Sequence, residues 1–142
     1  MQTTLQLLKY SVNQISFALN EQFDYSQKQP VQVNPRFTRS IKKIDQNVCD
    51  VSLTFLINDS AECPPPFSMK VIVTGTFRLE EWEKNDNIDL IKTNAVAILY
   101  PFLRSLVATI TSNANIPSFI LPVFNVIAYF EEEEERKENS VI

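Results

Sequence analysis

The sequence contains no histidine and a single glycine, Gly75. Histidine is the commonest general base and a frequent metal ligand, so its absence removes the usual routes to acid–base catalysis and metal binding. One glycine is too few for a glycine-rich phosphate-binding loop. The carboxylates cluster in loops and near the C-terminus rather than at strand ends. We therefore expect that the chain is not an enzyme and that it holds no metal and no cofactor.

Cysteines and long apolar runs are also scarce. Cys49 and Cys63 are the only cysteines, and without histidine they do not complete an ordinary structural zinc site within one chain. Nothing marks the chain as secreted, so a disulfide between them is the less favoured alternative. The N-terminus lacks a cationic segment followed by an apolar core, and no uninterrupted apolar run approaches about 18 residues. We expect a soluble cytoplasmic protein that does not insert into a membrane.

Positive charge is too dispersed for sequence-independent binding to nucleic acid. The formal net charge is -4, whereas phosphate backbones are bound by clustered cations. The densest cationic group, Arg36, Arg39, Lys42 and Lys43, is too small to act as a polybasic arm. Nucleic acid is therefore not an expected partner.

The first two thirds of the chain have the alternating pattern of β-strands. At 142 residues and 44% hydrophobic content, the chain has the size and the apolar content of one domain. The alternation in "LLKYSVNQISFAL" changes phase near Asn13 and Gln14, which predicts a β-bulge. Pro35 interrupts the second strand and places it toward an edge of the sheet. The two clearest strands have inward positions at Cys49, Val51, Leu53, Phe55 and Ile57, and at Phe67, Met69, Val71 and Val73.

Helical periodicity follows in "NAVAILYPFLRSLVATI". An apolar stripe predicts a helix from about Asp89 to about Ser112, and Pro101 predicts a kink or a junction inside it, because proline removes one helical hydrogen bond. Residues 113–125 fit neither period and predict an extended apolar connector before a last helix. Strands followed by helices indicate an α+β fold: a four-stranded antiparallel sheet with a long kinked helix and a C-terminal helix on one side. The run Glu131–Glu135 is interpreted as a solvated helix end rather than a cation site.

In this order, the segments resemble the SecB family of export chaperones. The most specific matches are "ILYPFLRSLV", which is similar to the proline-bearing motif of that family's long helix, and "IPSFILPVFNV", which is similar to its connector before the last helix. "NQISFAL" resembles its first strand. The resemblance implies one SecB-like domain over residues 1–130, followed by an acidic helix end and tail over residues 131–142.

The resemblance implies a homotetramer, a dimer of dimers, that keeps unfolded or pre-export polypeptides unfolded without ATP. In the family, first strands pair across one interface and long helices pack in the other, so Pro101 would serve packing and assembly. The interface residues implied here are Tyr10, Val12, Ile15, Phe17, Leu99, Pro101, Phe102 and Leu106. The implied client-binding residues are Val33, Phe37, Ile41, Phe119, Ile120, Leu121, Phe124, Ile127 and Phe130.

The sequence departs from the export members at the contact with the SecA motor. Those members use carboxylates on the outer face of the sheet, where this chain has Gln14, Ala18 and Lys70. Without that charge complementarity a SecA partner is doubtful. Two alternatives to a general export chaperone stay open. One is a SecB-like chaperone dedicated to one client, such as an antitoxin, and the other is an oligomeric scaffold without chaperone activity.

Overall fold

Four strands form a single antiparallel sheet, and two helices pack on one of its faces. The computed structural model describes residues 5–21, 35–57, 67–80, 88, 91–114 and 126–139. The strands are β1 (Gln6–Leu19), β2 (Arg36–Asp45), β3 (Val48–Ile57) and β4 (Phe67–Arg78), in the spatial order β1-β4-β3-β2. A π-turn (Ile91–Ala95) continues into α1 (Val96–Asn113), and α2 (Val126–Asn139) follows. The predicted α+β fold is confirmed.

The two central strands alternate strictly between the core and the outer face. Every predicted inward position on β3 and β4 is buried, with an exposed fraction of 2% or less. The other face carries hydroxyl side chains that bond across strands. The Ser52 and Thr74 hydroxyls lie 2.9 Å apart, and the Thr76 hydroxyl donates to Asp50 Oδ1 over 2.6 Å. The sheet therefore has one apolar face and one polar face, as expected when helices cover only one side.

Strand β1 contains the predicted bulge. Its register against β4 shifts between Val12 and Gln14, and a second shift falls between Leu7 and Lys9. Each extra residue reverses the side-chain alternation that follows it. The bulge at Asn13 thus keeps apolar residues on both sides of it turned toward the same face.

Helix α1 packs tightly on the sheet at the only glycine, Gly75. Val96, Leu99, Leu103 and Val107 are fully buried against the strands. A Cβ atom at Gly75 would lie 2.9 Å from Leu99 Cδ2 and 2.7 Å from the Phe77 ring. Both distances are below van der Waals contact, so the absence of a side chain at this position sets how closely the helix packs on the sheet.

Pro101 lies inside α1, and the helix continues through it. The irregularity lies instead in the π-turn Ile91–Ala95, which directly precedes the first residues of α1. Of the two predicted alternatives at Pro101, a kink or a junction, the continuous helix excludes the junction. Proline cannot donate the bond to the Ala97 carbonyl, so α1 lacks one hydrogen bond at this position.

The helical segment Ile91–Asn113 is long and apolar enough, by length and composition alone, to cross a membrane. In this structure its apolar stripe packs on the sheet, and six α1 side chains are buried there. A core helix of a folded domain has the same composition, because it must match an apolar sheet face.

Cys49 is a free thiol within the core. Burial raises its pKa to about 11, and the neighbouring Asp50 carboxylate acts in the same direction. Cys63 lies outside the described residues, as does the predicted connector beyond Ala114. The run Glu131–Glu135 lies within α2.

Candidate functional site: an aromatic cluster and an apolar strip

An aromatic cluster joins β2 to both helices. Phe37 of β2 is 4% exposed. Its ring lies 5.5 Å from Phe55, 6.0 Å from Tyr100 of α1 and 5.5 Å from Tyr129 of α2, in tilted or edge-to-face geometry. Tyr129 in turn packs edge-on against Phe130 at 5.4 Å. We call these five residues the aromatic cluster. Edge-to-face pairs of this kind contribute about 0.5–1.5 kcal/mol each beyond their buried area.

Burial also affects the phenol of Tyr100 in this cluster. Removal from water raises the pKa of that phenol, and the Arg104 cation opposes the shift. Tyr100 therefore stays neutral at physiological pH and contributes as an aromatic ring.

Arg39 of β2 contacts both α2 and the π-turn Ile91–Ala95 through three kinds of contact. Its Nη1 donates to the Lys92 carbonyl over 2.8 Å, and its Nη2 donates to Glu134 Oε1 over 2.5 Å. The guanidinium carbon lies 4.5 Å from the centre of the Phe130 ring. Lys92 Nζ lies 3.9 Å from the same Glu134 oxygen. The Arg39 side chain is 12% exposed, whereas that of Glu134 is 51% exposed, so water screens the ion pair from one side.

Tyr129 accepts a hydrogen bond from a backbone amide of β2. The Phe37 amide donates to the Tyr129 hydroxyl oxygen over 3.3 Å. Strand β2 is last in the order of the described strands and pairs with β3 alone, so this hydrogen bond adds a contact from α2 to an edge strand. Helix α2 therefore covers both an aromatic side chain and an edge amide of β2.

The structure places the predicted client-binding residues unequally. Phe37 is buried beneath α2, Phe130 is buried on the side of α2 that faces Arg39, and Ile41 is half-buried beside the core. Ile127 lies on α2, but its side chain is outside the described part of the structure. Five further candidates, all outside the described residues, are Val33, Phe119, Ile120, Leu121 and Phe124.

The opposite edge of the sheet carries an exposed apolar strip. Val12, Ile15 and Leu19 of β1 pair with Val73, Val71 and Phe67 of β4, which are buried. Directly paired residues share a face, so these β1 side chains point to the same side as the core. They are nevertheless 40%, 50% and 46% exposed, because α1 packs mainly over β3 and β4.

Helix α1 extends this strip with Phe102. Phe102 is 41% exposed, and its ring stacks on Tyr10 at 4.6 Å. Phe17 is half-buried and stacks on Phe67 at 5.5 Å. We call Val12, Ile15, Leu19 and Phe102 the apolar strip.

The remaining predicted interface residues take different positions. Pro101 is exposed and Leu106 is half-buried. Leu99 is fully buried within the chain, against Gly75, so its side chain packs in its own core rather than at a surface.

Arg39, Lys92, Tyr129 and Glu134 belong to the site but were not predicted from the sequence. One signal was present: Arg39 occupies an inward position of β2 between Phe37 and Ile41, and a charged residue at a core-facing position needs a partner. The partners come from residues 92 and 134, and no local pattern indicates them.

The structure defines a class of protein: a small α+β protein with surfaces suited to contact with other polypeptides. One helical layer covers its sheet, the aromatic cluster lies at one edge, and the exposed apolar strip lies at the other. The family model of SecB, described as preprotein translocase subunit SecB, matches residues 1–137. The chain belongs to the SecB family.

Individual proteins are also similar to this chain. An uncharacterized protein of Methanocaldococcus jannaschii, MJ0357, is 32% identical over 137 residues, which cover 96% of this chain and 88% of that protein. The protein-export protein SecB of Acinetobacter baylyi is 26% identical over 140 residues, which cover 99% and 93%. The fold matches the Mycobacterium tuberculosis Rv1957 SecB-like chaperone, solved with a ChAD peptide from the HigA1 antitoxin. That match has a TM-score of 0.67 and 13% identity, and it covers 84% of this chain and 90% of that one.

Proposed function

We propose that this chain is an ATP-independent holdase of the SecB type, which binds unfolded or pre-export polypeptides and keeps them unfolded in the cytoplasm. Family membership supports a chaperone role. The observation that carries the proposal is the aromatic cluster, where α2 covers apolar side chains and an edge amide of β2 through a few separable contacts. Unfolded chains present the same two kinds of group, namely apolar side chains and unpaired backbone.

Client binding at this edge requires that α2 moves, because Phe37 is buried beneath it and Phe130 is buried in its contact with β2. The contacts that hold it are an ion pair open to water, one hydrogen bond to a hydroxyl and edge-to-face ring contacts. Each contributes on the order of 1 kcal/mol. The proposed client surface combines these residues and Ile41 with the connector residues Phe119, Ile120, Leu121 and Phe124, and with Val33 and Ile127.

We further propose that the protein assembles as a homotetramer, a dimer of dimers, through the apolar strip. Three of its four residues lie on an edge strand, and Phe102 adds a surface from α1. Exposed apolar edge strands pair readily with another chain. Pairing of β1 with a second β1 would cover Val12 and Ile15 together with Tyr10 and Phe17. Contact between helices would cover Phe102, Pro101 and Leu106. Several client surfaces on one assembly would raise avidity by about 10²–10⁴ without a new contact.

A chaperone dedicated to one client is the second candidate. Its support is the fold match to a SecB-like chaperone solved with an antitoxin peptide. The outer face of the sheet also has Gln14, Ala18 and Lys70 where the resemblance to export members leads us to expect carboxylates. These three residues lie on one face, because Gln14, Ser16 and Ala18 pair with Ile72, Lys70 and Ser68. A basic SecA segment would find no carboxylate at these three positions.

The experiment is light scattering of a denatured, aggregation-prone protein diluted into buffer with increasing amounts of this chain, with the oligomeric mass measured in parallel. We expect suppression near one tetramer per client, and weaker suppression by Phe119→Ser and Phe124→Ser. Ile44→Ser is the control, because Ile44 is an exposed apolar residue, at 51%, outside the proposed surface. Equal loss in all three variants would contradict the assigned surface.

The same assay separates the alternatives. A folded tetramer that suppresses no aggregation would exclude a general holdase. Binding of a single client in its unfolded form would then indicate the dedicated chaperone. Preference for a native partner over the denatured one would indicate a scaffold.

A further inference from the structure

The outer face of the sheet has a pattern of charge that the proposed function does not use. Strand pairing arranges this face in transverse rows that run from β1 across β4 and β3 to β2. One row is Ser16, Lys70, Leu56 and Arg36. Three rows further along, the row is Lys9, Thr76, Asp50 and Lys42. We call Lys9, Arg36, Lys42 and Lys70 the cationic frame.

The frame has the opposite charge to the chain as a whole. The four rows from Ser16 to Lys9 contain four cations and one carboxylate, Asp50, whose Oδ1 accepts a hydrogen bond from Thr76 over 2.6 Å. The complete chain has a formal net charge of -4. In the next row Arg78 and Asp45 balance each other. Positive charge is thus concentrated on one face of an acidic protein, which gives that face a field able to attract anionic partners.

The frame cations are available to such a partner. None of the four forms an ion pair with a residue in the described part of the chain. Lys9, Arg36 and Lys42 are exposed and Lys70 is half-buried. Both helices pack on the other face, so within the described residues nothing covers this one.

The dimensions suit an extended or helical segment of a protein. Lys70 and Arg36 lie two strand spacings apart, about 10 Å, and the two cationic rows are separated by six residues of β4, about 20 Å. Between them lies a floor of hydroxyl groups from Thr38, Ser40, Ser52, Thr54 and Thr74, with Gln14 and Ile72 beside them. Hydroxyls donate hydrogen bonds to carboxylates, so both the frame and its floor favour an acidic ligand.

Nucleic acid fits this face poorly. Sheets that bind single strands stack bases on aromatic side chains. No phenylalanine, tyrosine or tryptophan lies in these four rows, and the apolar residues there are Leu56 and Ile72.

We propose that the outer face of the sheet, through Lys9, Arg36, Lys42 and Lys70, is a docking surface for an acidic segment of a partner protein. This inference does not depend on the holdase activity, which we assign to the other side of the sheet. The expected partner at this face is therefore acidic, whereas the SecA segment that binds the export members is basic.

The experiment measures fluorescence anisotropy of a labelled peptide of alternating glutamate and serine, about twelve residues long, so that it spans the frame when extended. The full chain is titrated into it at low and moderate salt. We expect saturable binding that weakens with salt, because the contacts are solvent-exposed ion pairs. Lys42→Glu should weaken binding about fivefold and Lys42→Glu with Lys70→Glu about tenfold or more.

Lys43→Glu is the matched control. Lys43 is adjacent to Lys42 on β2 and equally exposed, but it pairs with core-facing Cys49 and so lies on the opposite face. It should change the affinity less than about twofold, because the peptide does not reach that face. Equal weakening by Lys42→Glu and Lys43→Glu would overturn the proposal in favour of diffuse attraction.

Two other results would also overturn it: no saturable peptide binding, or tighter, equally Lys42-dependent binding of a single-stranded DNA of the same charge. Light scattering with Lys42→Glu and Lys70→Glu should match the unmodified chain. The light-scattering assay therefore tests the holdase proposal alone. The peptide-binding measurement alone tests the proposed docking surface.

Discussion

The two edge strands of this sheet differ in how their exposed groups are covered. Strand β2 is covered by its own chain, because α2 places Tyr129 over Phe37 and over its amide. Strand β1 is left with Val12, Ile15 and Leu19 between 40% and 50% exposed. Both strands carry apolar residues on the helix side, so composition alone does not separate them.

The difference lies in which partner completes each edge. An exposed apolar edge is costly for a monomer and is normally paired, covered or charged. At β2 the cover is part of the chain and is held by an ion pair, a hydrogen bond and ring contacts, and we propose that another polypeptide takes its place. At β1 no described element covers the strip, so a second copy of the chain is the natural complement. One edge is suited to reversible binding and the other to stable assembly.

The largest expected effect is loss of assembly through β1. Ile15→Glu places a carboxylate in the apolar strip, and we expect the proposed tetramer to dissociate to smaller species in sedimentation or mass photometry. The folded chain should tolerate the change, since Ile15 is 50% exposed. Gln14→Glu is the matched control, because Gln14 is the neighbouring residue on the outer face. A tetramer that persists in Ile15→Glu would remove β1 from the interface.

At the other edge, the largest expected effect is on stability. Phe37→Ala removes the ring that contacts Phe55, Tyr100 and Tyr129, and it should lower the free energy of unfolding by about 3–5 kcal/mol. Urea denaturation measures this loss. Phe37→Leu keeps most of the buried volume and should lose clearly less. Equal losses would mean that the ring contacts, which both variants lack, account for the whole effect and that the buried volume does not contribute.

A smaller effect is expected at the polar fastening of α2. Arg39→Ala removes the ion pair to Glu134, the bond to the Lys92 carbonyl and the contact with Phe130. We expect a loss of about 2 kcal/mol, because Glu134 is half-exposed and water screens the pair. Hydrogen exchange should increase in α2 before it increases in β3 and β4.

Lys42→Ala is the matched control for Arg39→Ala, since Lys42 lies on the same strand and forms no ion pair with a described residue. If exchange rises equally across the sheet and α2, the helix does not open as a separate unit.

The smallest expected effect comes from a single hydroxyl. Tyr129→Phe keeps the ring and removes the acceptor for the Phe37 amide, so the free energy of unfolding should fall by about 1 kcal/mol. Chemical denaturation measures the loss, and hydrogen exchange at the Phe37 amide should increase. An unchanged exchange rate at the Phe37 amide would show that water replaces the Tyr129 hydroxyl without loss of stability.

Local patterns predicted much of the fold. The alternation at Cys49–Ile57 and Phe67–Val73 assigned the core face of β3 and β4 correctly, and the change of phase near Asn13 located a bulge. Those signals succeed because side-chain direction in a strand depends on adjacent residues alone. The helix at Pro101 was less predictable, because a proline can kink a helix, divide it, or lie inside a continuous helix that lacks one hydrogen bond.

The candidate site was predicted only in part. Phe37 and Phe130 were singled out through the family resemblance, and the structure brings them to one cluster. Their burial under Tyr129 and Arg39 was not predicted, since those contacts join residues more than 90 positions apart. The assignment of Leu99 to an interface did not take Gly75 into account. Because Gly75 has no side chain, Leu99 packs against it in the core of its own chain.

The sequence by itself determined the secondary structure, the apolar faces and the unusual chemistry of a chain with one glycine and no histidine, because these follow from composition and from neighbours along the backbone. Only the tertiary structure decided the strand order, and with it which edge α2 covers, which edge stays exposed and which cations share the outer face. Strand order depends on pairing between distant segments, and many pairings satisfy the same local alternation. Packing of the helices on one face selects among them.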